Sequence, residues 1–362
     1  MSNASGLLGR ESYAGISLYA PDRRPCAIDL SDNTNLWGAP PSAARALREV
    51  ASAPMTRYPE LYAGSLKNAL AEYIGVGADQ IVTGCGSDDV LDSAIRAFAE
   101  PGDRVAVPDP SFAMIPIFAR MNSLEPVLVP LTSTYDIDVE RTLQAEARIT
   151  YLCSPNNPTG ASFSTKSIDE IVNRAPGLVI VDEAYAEFAG CSVTDLLERS
   201  DRLLITRTMS KAFGLAGLRV GYAVGAPTLI REVEKSRGPY KVNAIAERVA
   251  LSTLRDDMAW VRANVDAAIA NRARMIDSLD TLGLEALPSS ANFVLAPVPN
   301  AGRIAYELRL RGIAVRPFER LTCAPGTSLA ATGGDALRIT VGPWELLAPA
   351  LDALHEVLAC FA

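Results

Sequence analysis

Histidine is nearly absent from this chain of 362 residues: there is one, His355. That rules out any multi-histidine metal centre, and the position of the one imidazole nearly excludes a triad, so proton transfer is expected to use another group. His355 falls in Pro343 to Phe361, where Leu347, Leu351, Leu354 and Leu358 recur at helical spacing, and it reads as a residue at the edge of that stripe. The six cysteines contain no CxxC pair, which is neither a zinc pattern nor a disulfide framework. Cys85 and Cys153 read as small buried thiols. No apolar run reaches the roughly 18 residues of a membrane span. Met1 to Arg10 lacks a basic region leading into an apolar core, so a cytoplasmic protein is expected. A net charge of −8 with no Lys/Arg cluster argues against a nucleic-acid surface. Neither GxGxxG nor GxxxxGK[ST] occurs, which removes the usual nucleotide-binding signatures.

What is present is an apolar share of 49% with 21% charged residues, the balance of a well-packed globular enzyme. The length exceeds what one core serves, so two lobes are expected. Short β-rich runs alternate with helical segments: strands over Gln80 to Thr83, Arg104 to Val107, Pro126 to Pro130, Ile149 to Cys153, Leu178 to Val181, Leu203 to Thr206 and Arg219 to Val224. Helices are expected over Asp88 to Ala99, Phe112 to Met121, Thr165 to Asn173 and Pro227 to Lys235, with Ser87 as the N-cap of the first. This is an α/β layer around a mostly parallel seven-stranded sheet. Beyond Lys241 two long helices (Ala244 to Leu254, Met258 to Leu282) precede short strands near Asn292 to Leu295, Ile313 to Arg316 and Leu337 to Val341. That mixture suggests a smaller α+β lobe. The expected division is residues 1–35 as an N-terminal arm or part of the small domain, 36–243 as the large domain and 244–362 as the small C-terminal domain.

Four motifs sit where strands end, the place ligands occupy in open α/β sheets. Gly84-Cys85-Gly86-Ser87-Asp88 is a glycine-rich turn opening a helix, suited to a phosphate or simply a turn. Ser154-Pro155-Asn156-Asn157-Pro158-Thr159-Gly160 offers the amide of Asn157 on a proline-stiffened loop. Asp182-Glu183-Ala184-Tyr185 puts a carboxylate at a buried strand end, where a protonated pyridine nitrogen would offset its desolvation; the alternative is a plain cap. Thr208 to Arg219 sets Lys211 among small and apolar residues, where burial frees its amine as nucleophile and base. A structural ion pair is the bland alternative for Lys211. Thr208, Ser210 and Arg219 suit a phosphate beside it. Together these groups describe a site for an aldehyde-bearing pyridine phosphate.

The succession GCGSDD, PDPSF, SPNNPTG, VDEAY, SKAFGLAGLRVGY and LRITVG resembles the class I/II pyridoxal-phosphate aminotransferases of fold type I, most closely the histidinol-phosphate aminotransferase group. The resemblance implies pyridoxal 5'-phosphate as cofactor, with Lys211 as the Schiff-base lysine and proton shuttle. It implies Asp182 at the pyridine nitrogen, Tyr185 and Asn157 at the ring oxygen, and Phe112 stacked on the ring. The phosphate falls to Gly86, Ser87, Asp88, Thr208, Ser210 and Arg219, and to Tyr58 reaching from a partner subunit. A homodimer with shared sites follows. Arg338 matches the arginine that receives the substrate α-carboxylate, Asn35 an N-terminal substrate-side asparagine, and Tyr19 and Arg316 more loosely the substrate pocket. No metal is expected. Two segments depart from the family pattern: Asn33-Thr34-Asn35-Leu36 lacks an acid and a proline, and Lys241 stands where an asparagine is usual. The activity implied is exchange of an amino group between an L-amino acid, or an amino-alcohol phosphate such as histidinol phosphate, and a 2-oxo acid such as 2-oxoglutarate. A decarboxylase of the threonine-phosphate type with the same cofactor is the alternative. A regulator built on this fold is disfavoured, since no spare basic DNA-binding module is present.

Overall fold

The computed structural model describes residues 10–18, 20, 24–49 and 55–361. After a two-residue strand β1 (Ile28–Asp29), seven strands form one sheet: β2 (Ile81–Cys85), β3 (Arg104–Asp109), β4 (Glu125–Pro130), β5 (Ile149–Cys153), β6 (Leu178–Asp182), β7 (Leu203–Thr208) and β8 (Val220–Gly225). Their order is β2-β8-β7-β6-β5-β3-β4. β8 runs antiparallel to both its neighbours, and the other pairings are parallel. Strands β5, β6 and β7 read ITYLC, LVIVD and LLITRT and are buried along their whole length. Continuous apolar runs of this kind belong to a sheet covered on both faces. Each Val, Leu or Ile sealed there contributes about 1.5–3 kcal/mol.

The two faces follow the period of two. Tyr151, Cys153, Ile180 and Leu204 share one apolar cluster, whereas Leu152, Val179, Val181, Leu203 and Ile205 share another. A third and larger cluster runs from Leu30 through Phe213 and Phe293 to Leu354, tying the sheet to the C-terminal elements. Those elements are the helices Ala244–Asp256 and Met258–Thr281 and an antiparallel sheet of order β11-β12-β9, made of β9 (Phe293–Pro297), β11 (Arg316–Phe318) and β12 (Ala336–Thr340).

Several details differ from the sequence reading. The run Ile313 to Arg316 is two strands: β10 (Ile313–Ala314) pairs with β1 in parallel, while Arg316 opens β11 against β12. The chain changes sheets at the buried Val315. The N-terminal stretch, which has no clear period, therefore contributes a strand to the C-terminal half. Helices α1 (Pro41–Arg48) and α2 (Gly64–Ile74) were not expected; α1 packs through Ser42, Ala43 and Ala46, whose small side chains make a weak stripe. Helix α3 (Gly86–Phe98) begins ahead of Ser87, so Cys85 rather than Ser87 is its N-cap, without a side-chain cap bond. Instead Asp89 reaches back to accept the Cys85 N–H at 3.0 Å.

Candidate active site

Five chain segments converge at one edge of the seven-stranded sheet. They are the ends of β2, β5, β6 and β7 and the start of the reversed strand β8, which places Arg219 beside them. Asp182, the last residue of β6, is buried; its Oδ2 accepts the Tyr151 hydroxyl at 2.8 Å. Its Oδ1 accepts the Thr206 hydroxyl at 3.1 Å and the Ala184 N–H at 3.2 Å. Burial outweighs these donors and pushes the carboxyl up to about 6. Such a group is suited to a cationic partner.

Lys211 follows β7 by three residues. Burial, reinforced by the nearby guanidinium of Arg338, holds its ammonium down to about 8. Its Nζ donates to the Asp32 carbonyl at 3.2 Å and lies 5.8 Å from the centre of the Tyr185 ring. Tyr185 is buried, stands edge-on to Phe293 at 5.2 Å, and accepts the Asn33 amide at 3.2 Å. Asn157 accepts Arg338 Nη1 at 2.6 Å, and Arg338 Nη2 donates to the Ser31 carbonyl at 2.7 Å. An arginine from β12 thus meets the SPNNPTG loop from β5. Across the strand pair Arg316 is in register with Arg338, so both side chains leave the same face.

A second cluster forms a cradle at the start of α3. Thr208 Oγ1 donates to Ser210 Oγ at 2.9 Å, Arg219 Nη1 reaches the same hydroxyl at 3.4 Å, and Arg219 Nη2 pairs with Asp88 at 3.3 Å. Gly86 has φ +80°, and a Cβ there would run into the Arg219 guanidinium. Gly221 is in backbone contact with Gly86 and Ser87, and a Cβ there would overlap their main chain. Both glycines are needed for this approach. The open helix N-terminus, two hydroxyls and a guanidinium are the donor set a phosphate takes. The buried acid and the cradle together fit a pyridine phosphate. Lys241 pairs with Asp89 at 2.9 Å, which puts the departing lysine beside the cradle.

Phe112 is half-buried in the loop after β3, which Ser111 ties to Asn156 at 2.7 Å. Asn35 lies beside Lys211 in space but is engaged with main chain: its Nδ2 donates to the Ala212 carbonyl at 3.0 Å and its Oδ1 accepts Trp37 N–H at 2.9 Å. Asn33, two residues earlier, is the one that reaches Tyr185. Tyr58 is 83% exposed and stacks on Tyr240 at 4.9 Å, next in sequence to Lys241. Tyr19 lies outside the described residues. Cys153 is buried as expected, but Cys85 is exposed, because the N-cap position carries it to the mouth of the cradle. Reading the sequence missed Tyr151, Thr206 and Asn33. The first two sit inside apolar strands, and the third folds back through 152 residues of chain.

Residues 26–354 match the family model described as Aminotransferase class I and II. The chain belongs to that family. A class I and II aminotransferase, it is 34% identical over 97% of its length to the histidinol-phosphate aminotransferase of Thermoanaerobacter sp. (strain X514), covering 99% of that protein. It is 33% identical, over 93% of its length and 98% of the relative, to an aromatic amino acid aminotransferase of Corynebacterium glutamicum (strain R). The crystal structure of histidinol-phosphate aminotransferase from Sinorhizobium meliloti in complex with pyridoxal-5'-phosphate superposes with a TM-score of 0.83 at 25% identity, covering 94% of this chain and 93% of that one. This aminotransferase therefore has the fold-type-I architecture and uses pyridoxal 5'-phosphate. Among the described residues no helix is long and apolar enough to cross a membrane.

Proposed function

We propose that this aminotransferase moves an amino group from an amino-alcohol phosphate of the histidinol-phosphate kind, or from an L-amino acid with a flat side chain, to a dicarboxylic 2-oxo acid such as 2-oxoglutarate. The observation that carries the reading is the meeting of Lys211, held down to about 8, with Asp182, Tyr185 and Arg338 at one sheet edge. The bound cofactor supplies a carbonyl that condenses with amines and a cationic ring that accepts electrons. Lys211 would be the amine that holds the cofactor and the base that takes a proton from the substrate α-carbon and returns it. Asp182 would face the ring nitrogen, Tyr185 and Asn157 the ring oxygen, and Phe112 the ring face. Gly86, Ser87, Asp88, Thr208, Ser210 and Arg219 hold the phosphate. Arg338 receives the carboxylate as a bidentate pair. Arg316, in register with it, provides a second cation for a second anionic group: the distal carboxylate of the acceptor or the phosphate of the donor.

The functional unit in this proposal is a homodimer. Exposed Met55, Tyr58 and Leu61 form an apolar stretch that a second copy would cover, placing Tyr58 at the partner's phosphate. The large lobe spans residues 36–243 and the small one 244–362, with the arm before residue 36 joined to the latter through β1.

Reduction with borohydride after adding pyridoxal phosphate is expected to fix the cofactor on Lys211, read by peptide mass. Lys211→Ala is expected to lower transamination by about 10⁴-fold, the upper range for losing a positioned base. A variant that transaminates at wild-type rate would overturn the assignment. Loss of the cofactor's visible band on adding histidinol phosphate, aromatic amino acids or glutamate in turn identifies the donor.

A further inference from the structure

Tyr151 lies in the middle of β5 and is fully buried, yet its hydroxyl is aimed at the one carboxylate of the site that has to stay charged in a dry place. Cys153 is the cross-strand partner of Asp182, and Tyr151, two residues earlier, projects from the same face of the sheet. Its ring spans the diagonal of about 7 Å that only an aromatic or long side chain covers. The phenol therefore meets Asp182 Oδ2 from the strand side, at 2.8 Å, and leaves the outward side of the carboxylate for the ligand. Thr206 and the Ala184 N–H do the same for Oδ1 at 3.1 and 3.2 Å. A carboxylate accepts about four hydrogen bonds. Among the described residues three places are filled, and one remains.

We propose that Tyr151 is a positioning residue for the cofactor's ring nitrogen: its buried phenol orients Asp182 and makes it the weaker base of the Asp182–pyridine pair, so that the shared proton stays on nitrogen. The inference rests on the placement of Asp182 at that nitrogen under the proposed function. Physically, a hydrogen bond to the charged form of a carboxyl stabilises that form. Burial and the charge of Asp182 both raise the phenol's own proton affinity, so it serves as a neutral donor that keeps its proton. Without that donor, burial acts on Asp182 with less opposition. The proton then moves toward oxygen and the ring becomes a poorer electron acceptor. No charge is created or lost in this exchange; one proton changes its place between two atoms.

The test uses holoenzyme loaded with cofactor labelled with ¹⁵N in the ring. Tyr151→Phe is expected to move the ring-nitrogen resonance toward the neutral-pyridine position. It should lower kcat about tenfold, the factor that one pKa unit is worth, with KM unchanged. Replacing Tyr151 by 3-fluorotyrosine, a stronger donor of almost the same shape, should move the resonance the opposite way. If Tyr151 served packing alone, neither substitution would shift the nitrogen signal. An unmoved signal in folded Tyr151→Phe overturns the proposal, and if that variant does not fold, an unmoved signal in the fluorinated enzyme does so. Failure of the underlying reading looks different: the wild-type ring nitrogen would itself be unprotonated, or no cofactor would be trapped on Lys211.

Discussion

Asp182 and Glu183 are adjacent acids at the end of the same strand, both buried, and their surroundings are opposite in kind. Glu183 is answered by its own chain. Arg207 Nε and Nη2 donate to its Oε2 at 3.0 and 2.7 Å, Ser192 donates to the same oxygen at 2.8 Å, and the Val193 N–H reaches Oε1 at 2.7 Å. Among the described residues Asp182 receives two hydroxyls and one N–H but no cation, and burial still pushes it up to about 6. The strand alternation separates them, because Thr206 shares a face of the sheet with Asp182 and Arg207 faces the other. A charge completed by the protein marks scaffold, and a charge left short of a counter-ion marks a place for a ligand.

The comparison can be broken from the scaffold side first. Arg207→Met strands Glu183 in a dry site and is expected to destabilise the fold by about 3–5 kcal/mol in urea unfolding. Adding Glu183→Gln to that variant should restore much of the loss. If the single variant unfolds like wild type, the pair is not the clamp described here.

Asp182→Asn should act in the reverse sense on the cofactor-free protein. A carboxyl raised from 3.8 to about 6 favours the folded state below pH 4 and loses that contribution as the pH climbs through 6. Above pH 7 the wild type therefore carries a burial penalty of up to about 3 kcal/mol that asparagine lacks. Melting curves of the apoproteins at pH 8 should show the variant as the more stable, while its cofactor affinity falls. Equal melting at pH 8 would count against an under-compensated Asp182.

The mildest test concerns Lys211, which must be neutral to capture an aldehyde. Cofactor uptake by apoprotein should quicken about tenfold per pH unit up to about 8 and then level off. A rise continuing to pH 10 would mean an ordinary, solvated lysine.

Much of this was readable in the chain. The apolar β-branched runs located all seven strands of the large sheet to within a few residues, because a doubly covered sheet leaves little choice of residue. The motifs at their ends were visible because glycine, proline, asparagine and an isolated lysine are conspicuous after such runs. Alanine-lined α1 escaped because its buried face carries no large side chains. Tyr151 and Thr206 escaped because a polar side chain on the buried face of an apolar strand looks, in sequence, like core. Asn33 is joined to Thr340 by bonds of 3.0 and 3.2 Å across 307 residues, and no local pattern announces such a meeting.

The guanidinium of Arg338 has its own implication. It stands between the loop of Asn157 and the carbonyl of Ser31, holding three remote stretches of backbone before any guest arrives. Under the proposed role, a carboxylate would bind there by replacement, dislodging the amide oxygen of Asn157. Small monoanions that engage one edge of the fork would then have little with which to compete, so admission would favour molecules bringing a second grip of their own.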